Sequence, residues 1–193
     1  MKKDFIMIKT LSLTLLALLM GACSYANNPL KLQPYEANYA APVSKEKKRV
    51  YVRSVNDLRA DKQNIGYAIE NGQKVTTFYT YENFSKKYAD ALKYALNISE
   101  FNTNVTPREA SAIIDVNIKN ISLVYLDKSF DENVKGEMAV ELVVIQGSRT
   151  TKYNFTQKGG KWLKPSRNSQ DLEPFLSELF AESIEAVVTK LVQ

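Results

Sequence analysis

The alternation of apolar and polar positions predicts three strands in the first half of the chain. Residues 49–56 alternate and are rich in β-branched side chains, which favours a strand. Residues 65–70 and 73–79 form two further runs, separated by Asn71 and Gly72. An Asn-Gly pair between two such runs is the strongest short signal for a hairpin, because both turn residues must take positive φ. We therefore expect a small, exposed hairpin with its tip available to solvent.

Two segments change to a helical period. Residues 82–99 place six apolar side chains on one face, with Thr80 or Asn83 as the N-cap. The six are Phe84, Tyr88, Ala91, Leu92, Ala95 and Leu96. Residues 171–192 predict a second amphipathic helix with Asp171 at its N-cap. Its apolar face comprises Leu172, Phe175, Leu176, Leu179, Phe180, Val187, Val188 and Leu191, with Ile184 beside it.

Residues 112–126 predict a long strand whose alternation changes phase. Its first apolar side chains fall on even positions and the later ones on odd positions. A strand with period 2 cannot bury both sets on one face unless it contains an extra residue. We therefore predict a β-bulge or strong bend at Lys119-Asn120.

The chain then predicts an antiparallel meander with one face in water. Residues 134–146 alternate cleanly, 147–148 (Gly-Ser) suit a two-residue type II′ turn, and 149–157 return. Residues 158–170 are expected to form a loop, in which Trp162 either covers an edge of the sheet or serves as an exposed binding anchor.

Together these elements predict an α+β fold with one domain over residues 48–193. The antiparallel sheet comprises the meander, the N-terminal strand and the hairpin, and two amphipathic helices pack on one of its faces. The 171 residues that remain after residues 1–22 are enough for one domain with a substantial core.

The N-terminal region reads as a secretory signal. Lysines precede a short apolar run within residues 11–23, LSLTLLALLMGAC, and that run is too short to span a bilayer. Met7 is an alternative start to Met1, because a complete signal follows it. Residues 1–22 are thus predicted to be a signal peptide. An ordinary cleaved signal that leaves a free thiol at Cys23 is the alternative.

The small residues Gly21 and Ala22 before Cys23 resemble the lipobox of bacterial lipoproteins, with Met20 where Leu is usual. The resemblance implies that Cys23 is lipidated and becomes the first mature residue, with acyl chains that hold it permanently in the membrane. Ser24, rather than Asp, after the cysteine implies the outer membrane, facing the periplasm.

Residues 23–47 contain three prolines and show no period, so we expect a flexible tether between lipid and domain. The alternative is an extended arm packed on the domain through Leu30, Leu32, Tyr35 and Tyr39.

Composition excludes several kinds of chemistry. The chain has no histidine and one cysteine, so it lacks the commonest general base and cannot form an intramolecular disulfide or a structural zinc site. We expect no metal and no cofactor. The formal net charge is +5, and residues 1–22 carry three Lys and one Asp, which leaves +3. Because the basic residues are interspersed with acidic ones, nucleic-acid binding is not expected.

The layout resembles the YajG-type family of bacterial lipoproteins. The likeness rests on the lipobox, on the first strand running into Asp57-x-Arg59 with Ile65-Gly66 after it, and on the strand IIDVNIKNISLVY. The meander and the C-terminal helix complete it. The resemblance implies an envelope lipoprotein and supplies no catalytic residues.

We therefore expect a non-enzymatic accessory lipoprotein that docks a protein partner or the cell wall. Asp57, Arg59, Asp61 and Lys62 form the densest charged loop and are the candidate contact surface. The competing interpretation is a solvated turn in which Asp57 and Arg59 pair with the backbone or with each other.

Two other functions are weighed against this one. A glycoside hydrolase can work with paired carboxylates and no histidine, and the candidates are Asp115, Asp127, Asp131, Glu132, Glu137 and Glu141. Glu137 and Glu141 face water on their strand, without the burial that raises a carboxyl pKa. A lipid-binding groove between sheet and helices is the other alternative, and it requires an apolar cavity.

Overall fold

The computed structural model describes residues 27–37, 47–127, 132–164 and 168–193. The predicted signal peptide, Cys23 and Tyr39 lie outside these residues. The elements are β1 (Val50–Asp57), β2 (Asn64–Glu70), β3 (Gln73–Tyr79), α1 (Phe84–Ile98), β4 (Ala112–Leu126), β5 (Val134–Gln146), β6 (Arg149–Lys161), a 3₁₀ turn (Ser169–Leu172) and α2 (Glu173–Val192).

The six strands form one mixed sheet, in the order β3-β2-β4-β5-β6 with β1 also paired to β4. The α+β class is confirmed, but the wholly antiparallel description is wrong, because β1 and β2 both run parallel to β4. The cause is the connection: the hairpin and α1 carry the chain back before β4 begins, and such a crossover permits parallel pairing. Alternation within a strand does not reveal the direction of its partner.

The predicted β-bulge in β4 is confirmed. The register between β4 and β5 shifts between Ile118 and Asn120, which leaves Lys119 as the extra residue. The shift lets both apolar sets, on even positions before it and on odd positions after it, face the core. Ile114, Val116, Ile118, Ile121, Leu123 and Tyr125 are all buried.

Both predicted hairpin turns are present. Asn71 (φ 51°) and Gly72 (φ 77°) both take the left-handed conformation that a type I′ turn needs. In the second turn Gly147 has φ 58° and Gln146 pairs with Arg149, which agrees with type II′. The first hairpin is exposed only in part, however, because β2 is an inner strand and Ala68 and Phe78 are buried.

The two helices pack on the same face of the sheet with the predicted apolar faces inward. All six predicted residues of α1 are buried, and Asn83 caps the helix by accepting from the amide of Lys86 at 3.0 Å. The predicted Asp171 cap is wrong. A 3₁₀ turn precedes α2, and the side chain of Asn168 accepts from the amide of Gln170 to cap that turn. None of the helices among the described residues is long and apolar enough to cross a membrane.

Strand β6 runs four residues beyond the predicted end at 157 and takes in two of the loop's glycines. Gly159 pairs with Gly136 of β5 under the start of α2. A Cβ on Gly136 would clash with Leu179 and lie 2.8 Å from the ring of Phe175. The absence of side chains at this point therefore lets α2 approach the sheet closely.

Residues 27–37 pack on the domain as an extended arm, so the expected flexible tether does not describe them. The arm lies beside the end of β3 and between the two helices. Leu30 is fully buried, its amide donates to Tyr79 O at 2.7 Å, and its carbonyl accepts from the Thr80 hydroxyl. The amides of Lys31 and Gln33 donate to the side chains of Glu173 and Ser177. Satisfied backbone groups and a buried leucine hold the arm in place.

Candidate functional site

A cleft of about 350 Å³ opens on the outer face of the sheet. It lies at the point along one edge of β4 where pairing with β1 ends and pairing with β2 begins. Strand β1 ends with Asp57 opposite Ile118, and β2 joins at Gly66 opposite Leu123. Residues 119–122 of β4, which include the bulge, lie between these two partners. The cleft is lined by Arg59, Ala60, Asp61, Asn64, Ile65, Gly66, Tyr67, Lys74 and residues 119–122.

The predicted contact loop forms one rim of this cleft, and half of it is buried. The Arg59 guanidinium donates to both carboxylate oxygens of Asp57, at 2.9 and 2.7 Å. The two side chains are only 5% and 7% exposed. A bidentate pair in this position satisfies both charges and fixes the geometry of the loop.

Arg59 also ties the loop to its surroundings. Its guanidinium donates to Lys62 O at 2.9 Å and lies 5.0 Å from the centre of the Phe84 ring, at the start of α1. The pairing of Asp57 and Arg59 with each other and with the backbone agrees with the competing interpretation, but the pair is buried and not solvated. They position the loop and are not themselves offered to a partner.

Asp61 and Lys62 remain exposed at the rim. The Asp61 carboxylate accepts from the amides of Gln63 and Asn64, both at 3.0 Å, so the turn is closed by its own side chain. The structure therefore divides the four predicted residues into a buried supporting pair and an exposed pair in fixed positions.

The opposite side of the cleft carries residues that the sequence did not predict to belong to this contact surface. Lys74 lies 4.9 Å from the centre of the Tyr67 ring, and Asn120 donates to Glu137 at 2.9 Å. The bulge brings Lys119 out of the sheet, 3.5 Å from Glu141. The sequence predicted the hairpin that carries Lys74 and the bulge that carries Lys119 and Asn120, but it did not show that these two elements lie side by side.

Beyond the cleft, the outer face of the sheet carries a ladder of paired polar groups. Asp115 accepts from Arg53 and Ser54, and the hydrogen bond from Arg53 is the main cause that lowers the Asp115 pKa. The Glu137 pKa is lowered chiefly by its hydrogen bond from Asn120. The Glu141 pKa is lowered chiefly by its hydrogen bond from Asn117. These carboxyls stay ionised at neutral pH and serve as acceptors or charges.

The described part of the chain shows no metal centre. No group of three or more Asp, Glu or Cys side chains is placed to hold an ion there. Of the remaining hydrolase candidates, Asp127 and Glu132 are exposed and Asp131 lies outside the described residues. Trp162 is 50% exposed just after β6.

A second groove, of about 390 Å³, runs between the arm and α1. Tyr35 meets Tyr94 edge-on with ring centres 6.3 Å apart, and Lys87 and Asp90 line the mouth. Burial, followed by the charge of Glu185, raises the pKa of Tyr35 to about 12. The arm thus contacts both helices.

No protein-family model matches the chain. No curated protein matches its sequence. Among solved structures, the crystal structure of an uncharacterised protein is similar with a TM-score of 0.55 and 11% identity, over 84% of this chain and all of the other. Protein XCC0632 from Xanthomonas campestris, of family DUF330, is similar with a TM-score of 0.50 and 14% identity, over 89% of this chain and 93% of the other. Lipoprotein GNA1162 from Neisseria meningitidis has a TM-score of 0.39 and 10% identity, over 75% of this chain and 97% of the other. That likeness is too distant to support any inference. The chain thus shares its fold with an uncharacterised protein and with a DUF330 protein of Xanthomonas campestris.

Proposed function

We propose that this chain is a non-enzymatic lipoprotein of the bacterial envelope, of the YajG type. It is anchored in the outer membrane through Cys23 and docks a periplasmic protein partner. The observation that carries the docking role is the cleft at the β4 bulge. The buried Asp57–Arg59 ion pair holds the loop of residues 57–62, which forms the rim of the cleft. Asp61 and Lys62 of this loop are exposed. Polar groups held in place before binding lose little conformational entropy when a partner arrives.

The charge pattern of the cleft indicates a polar partner surface. Lys74, Lys119 and Asp61 line the opening, and the exposed Lys62 follows Asp61 in the rim loop. Such an arrangement favours a partner with interspersed carboxylates, and it sets orientation and association rate more than total affinity.

The hydrolase alternative is disfavoured by the charge state of its candidates. Glu137 and Glu141 accept hydrogen bonds from Asn120 and Asn117. Both pKa values are lowered, whereas the general acid needs a raised one.

A lipid-binding groove between sheet and helices is the remaining alternative, and packing argues against it. The space is filled by fully buried side chains from both layers. The largest are Tyr88, Phe78, Phe84, Leu30, Ile65, Leu92, Leu96, Ile114, Ile118, Leu123, Met138 and Leu142. Between the two helices, the Tyr88 hydroxyl of α1 lies 3.4 Å from Ser183 of α2.

The proposal is tested by crosslinking in living cells. The full-length protein is expressed with its own signal, crosslinked, purified and examined by mass spectrometry for proteins attached to it. The control is Cys23→Ala, which removes the proposed lipid site and leaves the domain unchanged. A specific envelope protein recovered with the native form and lost with the control supports an anchored docking subunit.

The contact surface is then tested with charge reversals at the rim. Asp61→Lys and Lys62→Glu alter exposed side chains, and Lys93→Glu on α1 is the matched control far from the cleft. We expect the rim reversals to reduce the crosslinked partner severalfold while the control retains it. Equal recovery in all three variants would exclude this cleft as the docking surface.

A further inference from the structure

The start of the packed arm lies close to the residue proposed to carry the lipid. Asn27 is four residues after Cys23, and a chain extends by at most about 3.6 Å per residue. Whatever path residues 24–26 take, Cys23 therefore lies within about 14 Å of Asn27. A domain held at so short a distance cannot stand far from the membrane.

The position of Asn27 identifies which part of the domain is nearest. Its side-chain amide donates to Thr77 O at 3.0 Å, and the Tyr79 hydroxyl donates to its carbonyl at 3.2 Å. The next amide, of Asn28, donates to the Ser169 hydroxyl at 2.8 Å. The arm thus starts beside β3 and the 3₁₀ turn.

This is one end of the sheet. A row of paired residues crosses the sheet next to Thr77, and in this row β5 begins and β6 ends. The row comprises Thr76, Ala68, Tyr125, Val134 and Lys161. Val75 and Trp162 lie just beyond the row on the two edges of the sheet, four strand spacings or about 19 Å apart. The turn at Gly147 is at the far end of β6, about 40 Å away.

Two of the large exposed apolar side chains lie at this end, one on each edge of the sheet. Five large ones are exposed among the described residues: Leu58, Val75, Tyr81, Tyr94 and Trp162. Val75 and Trp162 are each 50% exposed beyond the row, whereas Tyr81 follows β3 on the other side of the row. Trp and Tyr combine an apolar ring with a polar group, and both are enriched where protein meets the headgroup layer of a bilayer.

We propose that this end of the domain rests on the phospholipid surface, with Trp162 inserted at the level of the headgroups at one edge of the sheet and Val75 in contact with the surface at the other edge. The proposal rests on the proposed lipid anchor at Cys23 and adds an orientation to it. The β5–β6 turn then points away from the membrane. The cleft at the bulge opens on the side of the domain and stays accessible to a periplasmic partner.

The single tryptophan of the chain makes the test direct. The lipidated protein is reconstituted into vesicles of phosphatidylethanolamine and phosphatidylglycerol, and the emission of Trp162 is recorded. The same vesicles are prepared with phospholipid brominated near the headgroup end of its acyl chains, which quenches only a nearby ring. The control is a double variant, Trp162→Phe with Ser148→Trp, which moves the tryptophan to the opposite end of β6.

We expect native Trp162 to shift to shorter wavelength in vesicles, to be quenched by the brominated lipid and to be protected from aqueous iodide. The double variant should remain open to iodide and insensitive to bromine. If the native protein floats with the vesicles but Trp162 stays accessible to iodide, or if both proteins respond alike, the orientation is refuted and the anchor stands. Protection from iodide without quenching by lipid means that protein covers Trp162, which also refutes it. If the protein does not float, the lipid anchor fails, and the orientation fails with it.

Discussion

Asp57 and Arg59 are two residues apart, and their side chains form a bidentate ion pair in which each member is less than one tenth exposed. The pair lies where β1 leaves β4, with the guanidinium above the ring of Phe84. One charged contact therefore joins the end of a strand, the rim of the cleft and the start of a helix.

Removal of either member of this pair should destabilise the domain strongly. Arg59→Ala leaves a buried carboxylate without its partner, and the expected loss is about 3 kcal/mol of unfolding free energy. Asp57→Ala should cost a similar amount, and the double variant less than the sum of the two, because the singles share one interaction. Urea denaturation monitored by circular dichroism measures this.

Lys62→Ala in the same loop serves as the control and should change stability by no more than about 0.5 kcal/mol. If Arg59→Ala behaves like Lys62→Ala, the pair is not buried in solution and the rim loop is not fixed.

The close contact between α2 and the sheet predicts a second effect on stability. Gly136→Ala places a methyl group against Leu179 and Phe175, and we expect a loss of about 1–3 kcal/mol from overpacking. Gly159→Ala is the matched control, since its Cβ would lie 3.2 Å from the nearest Phe175 atom and the ring has to move only slightly. The thermal midpoints of the two variants give the comparison, and equal midpoints would mean that α2 sits farther from the sheet.

The arm should contribute to stability although it precedes the predicted domain boundary at residue 48. Leu30→Ala is expected to lower the unfolding free energy by about 2–5 kcal/mol, because a fully buried leucine is truncated. Gln33→Ala changes an exposed side chain of the same arm and should have little effect. Hydrogen exchange at the Leu30 amide, which donates to Tyr79 O, gives a second measurement. Rapid exchange in the native protein would show that the arm is detached.

Acid sensitivity should depend on Arg53. The Asp115 pKa is lowered in the folded state, chiefly by the hydrogen bond from Arg53. A carboxyl of this kind adds stability above its unfolded pKa of about 3.9 and loses that contribution as the pH falls through the folded pKa. Native protein should therefore lose stability below about pH 4. Arg53→Met should flatten that loss, because the folded and unfolded pKa values then move closer together.

Lys93→Met, on the exposed side of α1, should leave the acid limb of the stability curve unchanged. Denaturant midpoints across the acid range provide the measurement. Identical curves for the native and Arg53→Met proteins would show that the Arg53 contact does not set the Asp115 pKa.

Local patterns predicted the elements of this fold well, because the forces that set them act over a few residues. The period of 3.6 picked out all six buried residues of α1. The change of phase around Lys119 located the bulge, and Asn71-Gly72 located the hairpin turn. Each is a matter of which side chains face the core or which φ a residue can adopt.

Pairing between distant residues could not be obtained in the same way. Val50 lies beside Ala112 in a parallel ladder, and alternation in either strand is equally compatible with an antiparallel partner. The continuation of β6 through Gly159 depends on Phe175, which lies above it from α2. The cleft was not predicted for the same reason. Its two sides come from the hairpin region and from β4, which are distant in sequence.

The parallel pairs have a consequence for how the chain folds. Arg53 and Asp115, which hydrogen-bond between β1 and β4, are 62 residues apart in sequence, so β1 stays unpaired until β4 is in place beside it. Contacts of such long range slow folding, and an unpaired strand edge invites association with other chains in the meantime. The incompletely folded chain is thus the species most exposed to association, and we expect the yield in cells to respond to chaperone supply more than the stability of the folded domain would suggest.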